Sequence, residues 1–264
     1  MERPALDPQF LPLGPHAFKA MILAAGLGRR MRPLTDHTPK PLLVAGGKSL
    51  IQWQIERLKR AGFCDLVINH AHLGARLEAA LGDGERLGVK ITWSREPEPL
   101  ETAGGIAAAM GLLGDAPFLV SNGDVYAEFD YACLRPVLED MAGNPDHLAH
   151  LVLVDNPPHH PGGDFSLLDG RVIDPSPLAT RHSPFTFSGI ACYRPELFAG
   201  VVPMTSARLA PVLCAAMQKG QVSGEHFAGR WEDIGTPERL RQLDLELTLH
   251  PQVGDGSGGA DHDA

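Results

Sequence analysis

Short apolar runs alternate with helical patterns along the first half of the chain, and this alternation limits the possible folds more than any other feature of the sequence. Strands that are joined by helices lie parallel, because each helix carries the chain back along the sheet before the next strand begins. The alternation therefore predicts an α/β fold with a doubly wound, mostly parallel sheet and helices on both of its faces. The strand patterns are residues 19–24, 65–70, 89–93 and 117–121, and the helical patterns are 49–59, 73–81 and 106–113.

The second half of the chain contains more strand patterns and fewer helices. Asp169-Gly170 separates two of these strand patterns and is typical of the two-residue turn of a β-hairpin. Apolar residues recur at helical spacing from Leu209 to Met217, and a last helix is predicted to begin near Thr236. We interpret this half as a β-rich part of the same domain. Its strand patterns are 150–154, 165–168, 171–174 and 185–193.

The two ends of the chain differ in composition from the segment between them. Four prolines lie among the first 15 residues, and the last residues are rich in glycine and aspartate. Such compositions are typical of segments that do not form a packed core. The prediction is a flexible extension over residues 1–18, one domain over 19–249 and a disordered tail over 250–264.

The net charge of −9 argues against a protein that binds nucleic acid or a membrane surface. The charge is unevenly distributed, since residues 1–60 contain 10 Lys and Arg but 4 Asp and Glu. This basic region either binds an anion or is a chance cluster of surface arginines. The four cysteines are far apart and form no C-x-x-C pair, which is typical of reduced thiols in a cytoplasmic protein.

The most informative local motif is G-L-G-R-R-M-R-P-L-T at residues 26–35, which follows the first predicted strand and precedes P-K-P at 39–41. Glycines leave backbone N–H groups free to contact phosphate oxygens, arginines add paired hydrogen bonds, and lysine adds a localised positive charge. Open α/β sheets bind their ligands at strand ends, where this segment is predicted to lie. We interpret it as a polyphosphate-binding site rather than a basic loop without a ligand. Its candidate residues are Gly26, Gly28, Arg29, Arg30 and Lys40.

This segment differs from the two best-known phosphate-binding motifs. The Rossmann motif G-x-G-x-x-G has its third glycine where this chain has Met31. A P-loop that ends at Gly47-Lys48-Ser49 would need a glycine at position 42, which is Leu42. The segment 47–49 is therefore interpreted as a turn that enters a helix.

Two carboxylates lie at the end of an apolar strand pattern or just after it. Asp124 comes after the strand pattern that ends at 121, and Asp233 ends the short pattern W-E-D. Taken singly, either residue is typical of a turn or a helix cap. Together, beside a phosphate-binding segment, they favour a Mg²⁺ site, because Mg²⁺ prefers oxygen ligands and bound phosphates complete its coordination.

Taken together, these motifs resemble those of the sugar-1-phosphate nucleotidylyltransferases. G-L-G-R-R-M-R-P-L-T with P-K-P, N-G-D-V at 122–125 and W-E-D-I-G-T at 231–236 occur in the order and spacing of that family, over residues 19 to about 249. The resemblance implies a GT-A-like, Rossmann-like three-layer α/β/α fold with a β-rich sugar-binding part. It also implies UTP and a sugar 1-phosphate as substrates and Mg²⁺ as cofactor.

Further segments narrow the resemblance to the uridylyltransferases that use N-acetylmuramate 1-phosphate in bacterial peptidoglycan recycling. The chain departs from them at Ala103, where E-T-G-G-G is usual, although Gly104 and Gly105 remain. Two alternatives stay open: the same chemistry with another pair, such as mannose 1-phosphate and GTP, and a non-catalytic sugar-nucleotide sensor. The segments that carry this resemblance are 68–74, 98–102, 153–157, 163–165, 186–190 and 223–226.

The resemblance also implies a role for each candidate residue. Arg30, Lys40 and Asp124 would be catalytic, and Asp124 and Asp233 would bind Mg²⁺. Arg181 and His182 are basic candidates for the lactyl carboxylate that N-acetylmuramate carries. The nucleotide-binding residues would be Gly26, Gly28, Arg29, Arg30, Lys40, Gly104 and Asn122, and the sugar-binding residues would be Asn122, Asp164 and Gly189.

Overall fold

The structure is a computed structural model that describes residues 18–174 and 184–250. Residues 1–17 of the predicted extension and 251–264 of the predicted tail lie outside the described residues, as do Arg181 and His182. Among the helices of the described ranges, none is long and apolar enough to cross a membrane.

Strands and helices alternate along the described chain. The strands are β1 (Ala20–Leu23), β2 (Val44–Ala45), β3 (Lys48–Ser49), β4 (Asp65–His70), β5 (Lys90–Arg95), β6 (Phe118–Asn122), β7 (Val125–Ala127), β8 (Ala149–Val154), β9 (Ser166–Leu168), β10 (Arg171–Ile173), β11 (Thr186–Tyr193), β12 (Val222–His226) and β13 (Trp231–Asp233). The helices are α1 (Leu50–Arg60), α2 (Gly74–Leu81), α3 (Glu101–Leu113), α4 (Leu134–Gly143), α5 (Leu209–Met217) and α6 (Pro237–Leu249).

The central sheet has nine strands in the order β5-β4-β1-β6-β11-β8-β12-β10-β9. Its first four strands are parallel, and Ile22 of β1 lies opposite Ile68 of β4 and Ser121 of β6. β11 then runs antiparallel to both β6 and β8, and β9 and β10 form the predicted hairpin around Asp169-Gly170. The second half of the chain therefore extends the same sheet.

Alternate residues of the strands contribute to two hydrophobic cores, one on each face of the sheet. Ile22 of β1 packs into the core that contains α1, α2 and α4, whereas the neighbouring Met21 packs into the core that contains α3 and α5. All three β1 residues from Ala20 to Ile22 are fully buried, as expected for a strand that is covered by helices on both sides. The predicted three-layer α/β/α fold is confirmed.

A third, smaller core holds α6 against the edge of the domain where the first strands end. Leu240, Leu243 and Leu247 of α6 pack there with Met31 and Ile234. β13 precedes α6 and pairs antiparallel with β7, so that Asp233 lies opposite Val125 in the register. This pairing brings the segment around Asp233 beside the segment around Asp124.

Two helices differ from the sequence-based expectation. α3 begins at Glu101 rather than at residue 106 and so includes both Gly104 and Gly105. A glycine disfavours a helix by about 1 kcal/mol relative to alanine, but here packing outweighs that cost, because a Cβ at position 104 would lie 2.3 Å from the backbone oxygen of Thr205. The sequence analysis did not predict α4, whose buried face is limited to Leu134, Leu138 and Met141.

A buried polar network joins α1 to the sheet beneath it. Gln54 is 2% exposed, and its side-chain amide donates to the backbone oxygen of Val125. Its Oε1 accepts hydrogen bonds from the Tyr131 hydroxyl at 2.6 Å and from Ser121 Oγ at 3.2 Å. Burial raises the pKa of Tyr131 to about 12, so the hydroxyl stays protonated and remains a donor at neutral pH.

We expect Tyr131→Phe to lower the free energy of unfolding by about 1–2 kcal/mol, because it removes one donor from the buried Oε1 of Gln54. The matched control is Tyr193→Phe. Tyr193 is equally buried, but its hydroxyl makes no hydrogen bond with the described residues. Urea denaturation of both variants measures the difference, and equal losses of stability would contradict a role for the Gln54 network.

Candidate active site

A cleft of about 750 Å³ opens at the edge of the sheet where the parallel strands β1, β4 and β6 end. This volume is within the usual range for small-molecule sites. The cleft brings together seven residues that the sequence analysis singled out: Gly26, Gly28, Arg29, Arg30, Lys40, Asn122 and Asp124. Four other candidates, Gly104, Asp164, Gly189 and Asp233, do not line it.

The glycine-rich loop after β1 presents backbone rather than side chains to the cleft. A Cβ at Gly26 would meet nothing within 4 Å, so the space beside this residue is open. Gly28 has a φ of 60°, and a side chain there would also approach Thr35 Cγ2 at 2.9 Å. The Thr35 hydroxyl donates to the Gly28 oxygen at 2.8 Å and stabilises the turn. Buried Met31 fixes the end of the loop in the third core.

Lys40 and Asp124 form an ion pair across the cleft. Lys40 Nζ donates to Asp124 Oδ2 at 2.5 Å, and the lysine side chain is 9% exposed whereas the aspartate side chain is 35% exposed. A charge-assisted hydrogen bond of this length holds both groups in fixed positions. A cation and a carboxylate that both line one cleft can bind, respectively, a phosphate group and a metal ion.

Asp233 lies beside this cleft at the end of β13 and is held by Arg239. Arg239 Nη1 donates to Asp233 Oδ2 at 3.0 Å and to the Asp233 backbone oxygen at 2.8 Å. His159 Nε2 lies 3.6 Å from the same carboxylate oxygen. Burial first, and then the charge of Arg239, lowers the pKa of His159, which favours the neutral imidazole here.

Two sugar-site candidates have clear local contacts around the bulge in β11. Gly189 has a φ of 79°, and a Cβ there would lie 2.4 Å from Asn122 Nδ2, so this glycine makes room for the Asn122 side chain. Asp164 Oδ2 accepts from the Phe187 N–H at 2.8 Å, and Asp164 Oδ1 lies 3.1 Å from His160 Nε2. The structure therefore brings Gly189 next to Asn122, whereas Asp164 anchors the neighbouring strand.

Gly104 is not positioned at the cleft surface. Its N–H donates to the Ala207 oxygen at 3.1 Å, and the residue is buried against the loop that contains Thr205. The sequence analysis expected a contact between this glycine and the nucleotide. In the structure, Gly104 packs closely against residues 205–207, and this packing leaves no room for a side chain at position 104.

Sequence reasoning gave no role to a buried pair at the far wall of the cleft, Asn69 and Glu96. Asn69 Oδ1 accepts from the Ala24 N–H at 2.8 Å, and Asn69 Nδ2 donates to Glu96 Oε1 at 2.6 Å. Glu96 Oε2 then accepts from the Leu100 N–H at 3.0 Å. Burial raises the pKa of Glu96. These bonds connect the start of the glycine-rich loop to the loop that precedes α3, and so fix the width of the cleft.

The sequence contained evidence for one member of this pair, Asn69, but not for its contact with Glu96. Asn69 lies in a segment that carried the family resemblance, and a polar residue near the end of an apolar strand is a candidate site residue. Glu96 follows β5, which is not adjacent to β1 in the sheet. The contact therefore depends on the order of the strands, which local patterns do not determine.

Gly105→Ala tests the pair, because a Cβ there would lie 2.7 Å from Glu96 Oε1 and 2.8 Å from Asn69 Nδ2. We expect it to lower the free energy of unfolding by about 1–3 kcal/mol through the broken buried hydrogen bonds. Gly111→Ala is the matched control on the same helix, since a Cβ there would meet nothing within 4 Å. That variant should be stabilised by up to about 1 kcal/mol. Changes of the same sign in urea denaturation would contradict the assignment.

Comparison with known proteins identifies the family of this chain. The model of the nucleotidyl transferase family matches residues 19–159, and the chain belongs to this family. Over 226 residues it is 53% identical to the N-acetylmuramate alpha-1-phosphate uridylyltransferase of Neisseria meningitidis serogroup B, a match that covers 85% of this chain and 96% of that protein. The enzyme of the same name from Caulobacter vibrioides is 33% identical, with 86% of this chain and 96% of that protein covered.

A mannose-1-phosphate guanyltransferase from Schizosaccharomyces pombe is also similar, at 31% identity over 83% of this chain and 61% of that protein. Among solved structures, the fold matches a putative glucose-1-phosphate thymidylyltransferase from Bacillus anthracis in complex with a sucrose. The TM-score is 0.76 and the identity 23%, with 90% of this chain and 98% of that chain covered. The expected nucleotidyltransferase fold is therefore confirmed.

Proposed function

We propose that this chain transfers a uridylyl group from UTP to N-acetylmuramate 1-phosphate, which gives UDP-N-acetylmuramate and pyrophosphate. The observation that carries the proposal is the 53% identity, over 85% of the chain, to a curated enzyme of that name. The cleft supports it, because a glycine-rich loop, two arginines and a lysine surround a volume that is large enough for a nucleotide. The function implies a cytoplasmic enzyme of peptidoglycan recycling.

Catalysis in this proposal consists of positioning and neutralisation of charge. An oxygen of the sugar phosphate attacks the α-phosphorus of UTP in line, and pyrophosphate leaves from the opposite side. The backbone of Gly26 and Gly28, together with Arg29, Arg30 and Lys40, binds the triphosphate. The sugar phosphate is already ionised at neutral pH, so the chain needs no general base. Asn122 and Gly189 contact the sugar, and Asp164 supports their wall.

The carboxylates in and beside the cleft fit a Mg²⁺ ion. Asp124 and Asp233 offer hard carboxylate oxygens, and the register places their segments on neighbouring strands, since Asp233 lies opposite Val125 and Ile234 N–H donates to the Asp124 backbone oxygen. Lys40 and Arg239 each bind one oxygen of these two carboxylates. A bound Mg²⁺ would neutralise developing charge on the transferred phosphate group.

Asp124→Asn and Asp233→Asn remove one negative charge each with almost no change of shape. Each should reduce Mg²⁺-dependent turnover by at least about a hundredfold, since a lost metal ligand costs several kcal/mol of transition-state stabilisation. Asp146→Asn, at an exposed surface position, is the control. EDTA should abolish turnover of the wild type. Full activity in EDTA would overturn the metal assignment.

The choice of substrate is tested by pyrophosphate release from four nucleoside triphosphates, each with several sugar 1-phosphates. UTP with N-acetylmuramate 1-phosphate should give the highest kcat/KM. N-acetylglucosamine 1-phosphate lacks the lactyl group and should be slower by at least about tenfold, because polar partners of that group are left unpaired. Equal efficiency with mannose 1-phosphate and GTP would favour the guanylyltransferase alternative. Binding without turnover for every pair would indicate a sensor.

A further inference from the structure

Three charged groups converge at one point on the cleft wall, next to Gly235. A Cβ on Gly235 would lie 3.2 Å from Arg30 Nη1, 3.2 Å from Asp233 Oδ2 and 3.3 Å from Arg239 Nη1. Gly235 itself lines the cleft. Arg30 reaches this point from the glycine-rich loop and Arg239 from α6. Two guanidinium groups therefore lie near one carboxylate, of which Arg239 forms the ion pair with it, and this leaves an excess of positive charge at this corner.

Arg239 is held firmly by one of its three nitrogens. Its Nη1, which carries two hydrogens, lies within hydrogen-bond distance of the backbone oxygen of Asp233, Asp233 Oδ2 and His159 Nε2. Arginine can only donate, so His159 Nε2 is the acceptor in the last contact. Within the described ranges the side-chain Nη2 and Nε of Arg239 have no protein partner, although the side chain is only 26% exposed. These donors remain available to a ligand.

The position of Arg239 determines which anion it meets. Arg29, Arg30 and Lys40 lie on the wall formed by the glycine-rich loop and the segment after it, where the triphosphate binds in the proposed function. Arg239 lies instead at the base of α6, 3.0 Å from Asp233 Oδ2, and Asp233 ends the strand that pairs with the segment after Asp124. It therefore lies beside the cleft, next to the carboxylates that bind Mg²⁺ in the proposed function, and there the second anionic substrate has to meet the α-phosphate.

From this geometry we propose that Arg239 binds the phosphate group of the sugar 1-phosphate, with His159 and Asp233 holding the guanidinium in place. The inference rests on the proposed function and deepens it, because it assigns the acceptor phosphate to a residue outside the glycine-rich motif. A planar guanidinium can give two parallel hydrogen bonds to a phosphate, which both localises the attacking oxygen and offsets its charge.

Steady-state kinetics of Arg239→Gln test this role. The KM for N-acetylmuramate 1-phosphate should rise by at least about tenfold, the loss typical of a charge-assisted hydrogen bond, while the KM for UTP stays nearly constant. Arg239→Lys keeps the charge but not the paired donors and should recover part of the loss. Arg241→Gln is the matched control, since Arg241 lies on the same helix, is 72% exposed and pairs with Glu238 at the surface.

Calorimetry supplies a readout that is independent of turnover. With Mg²⁺ and without nucleotide, the Kd for N-acetylmuramate 1-phosphate should be at least about tenfold higher for Arg239→Gln than for the wild type or Arg241→Gln. An equal rise in the KM for UTP would assign Arg239 to the triphosphate site and overturn the proposal. A change confined to the Mg²⁺ concentration for half-maximal activity would overturn it as well, since Arg239 would then act only on Asp233.

Failure of this inference is distinguishable from failure of the proposed function. If the wild type turns over the sugar phosphate and Arg239→Gln has unchanged constants, only the Arg239 assignment is wrong. If the wild type turns over no sugar 1-phosphate, the proposed function is wrong, and the calorimetric comparison alone decides whether Arg239 binds the phosphate group.

Discussion

The parallel alignment of β1 with β4 and β6 is the constraint on which the rest of the cleft depends. β1 has four residues, yet its neighbours on both sides fix its register, and its carboxyl end delivers the glycine-rich loop to the edge of the sheet. Asn69 at the end of β4 then holds the first residue of that loop, Ala24, by a buried hydrogen bond. A shift of β1 by one residue would exchange the faces of Met21 and Ile22 and displace the whole loop.

The charges of the cleft are arranged as pairs that join different walls. Lys40 follows the glycine-rich loop and pairs with Asp124 after β6, while Arg239 of α6 pairs with Asp233 at the end of β13. Each pair orients a cation and a carboxylate that the proposed reaction uses separately, the cation for phosphate and the carboxylate for metal. Because the groups are already ordered by these contacts, little side-chain freedom remains to be lost when substrates bind.

Residues whose role follows from local sequence were predictable, and residues whose role depends on distant contacts were not. Gly28, Arg30 and Lys40 lie in one segment that follows a strand, and Asp124 comes just after the end of another strand. The chemistry and spacing of these residues were therefore sufficient to predict that they lie at one edge of the sheet. Their individual roles remain predictions. The alternation of strands and helices likewise predicted the layers of the fold, because it reflects which faces are buried.

Arg239 and Glu96 show why the remainder was missed. In the sequence, Arg239 cannot be distinguished from a surface arginine of a helix. Only the pairing of β13 with β7 brings it beside the cleft. The contact of Glu96 with Asn69 could be recognised only from the order of the strands in the sheet, which places β5 next to β4. Similarly, glycines disfavour a helix at 104–105, and the close approach of Thr205, Asn69 and Glu96, which leaves no room for a Cβ at these positions, could not be read from the local sequence. Long-range packing outweighs local propensity at such sites.

In the proposed function, the negative charge of Asp164 restricts which residues can recognise the lactyl group of the sugar. Asp164 accepts the Phe187 N–H, and a carboxylate at this place can accept further hydrogen bonds from sugar hydroxyls. In the proposed function this carboxylate would repel the lactyl carboxylate of a sugar bound beside it, because like charges at short distance destabilise each other. A cation for that group must therefore come from another residue. In the proposed function the basic candidates for that cation are Arg181 and His182, which lie outside the described residues.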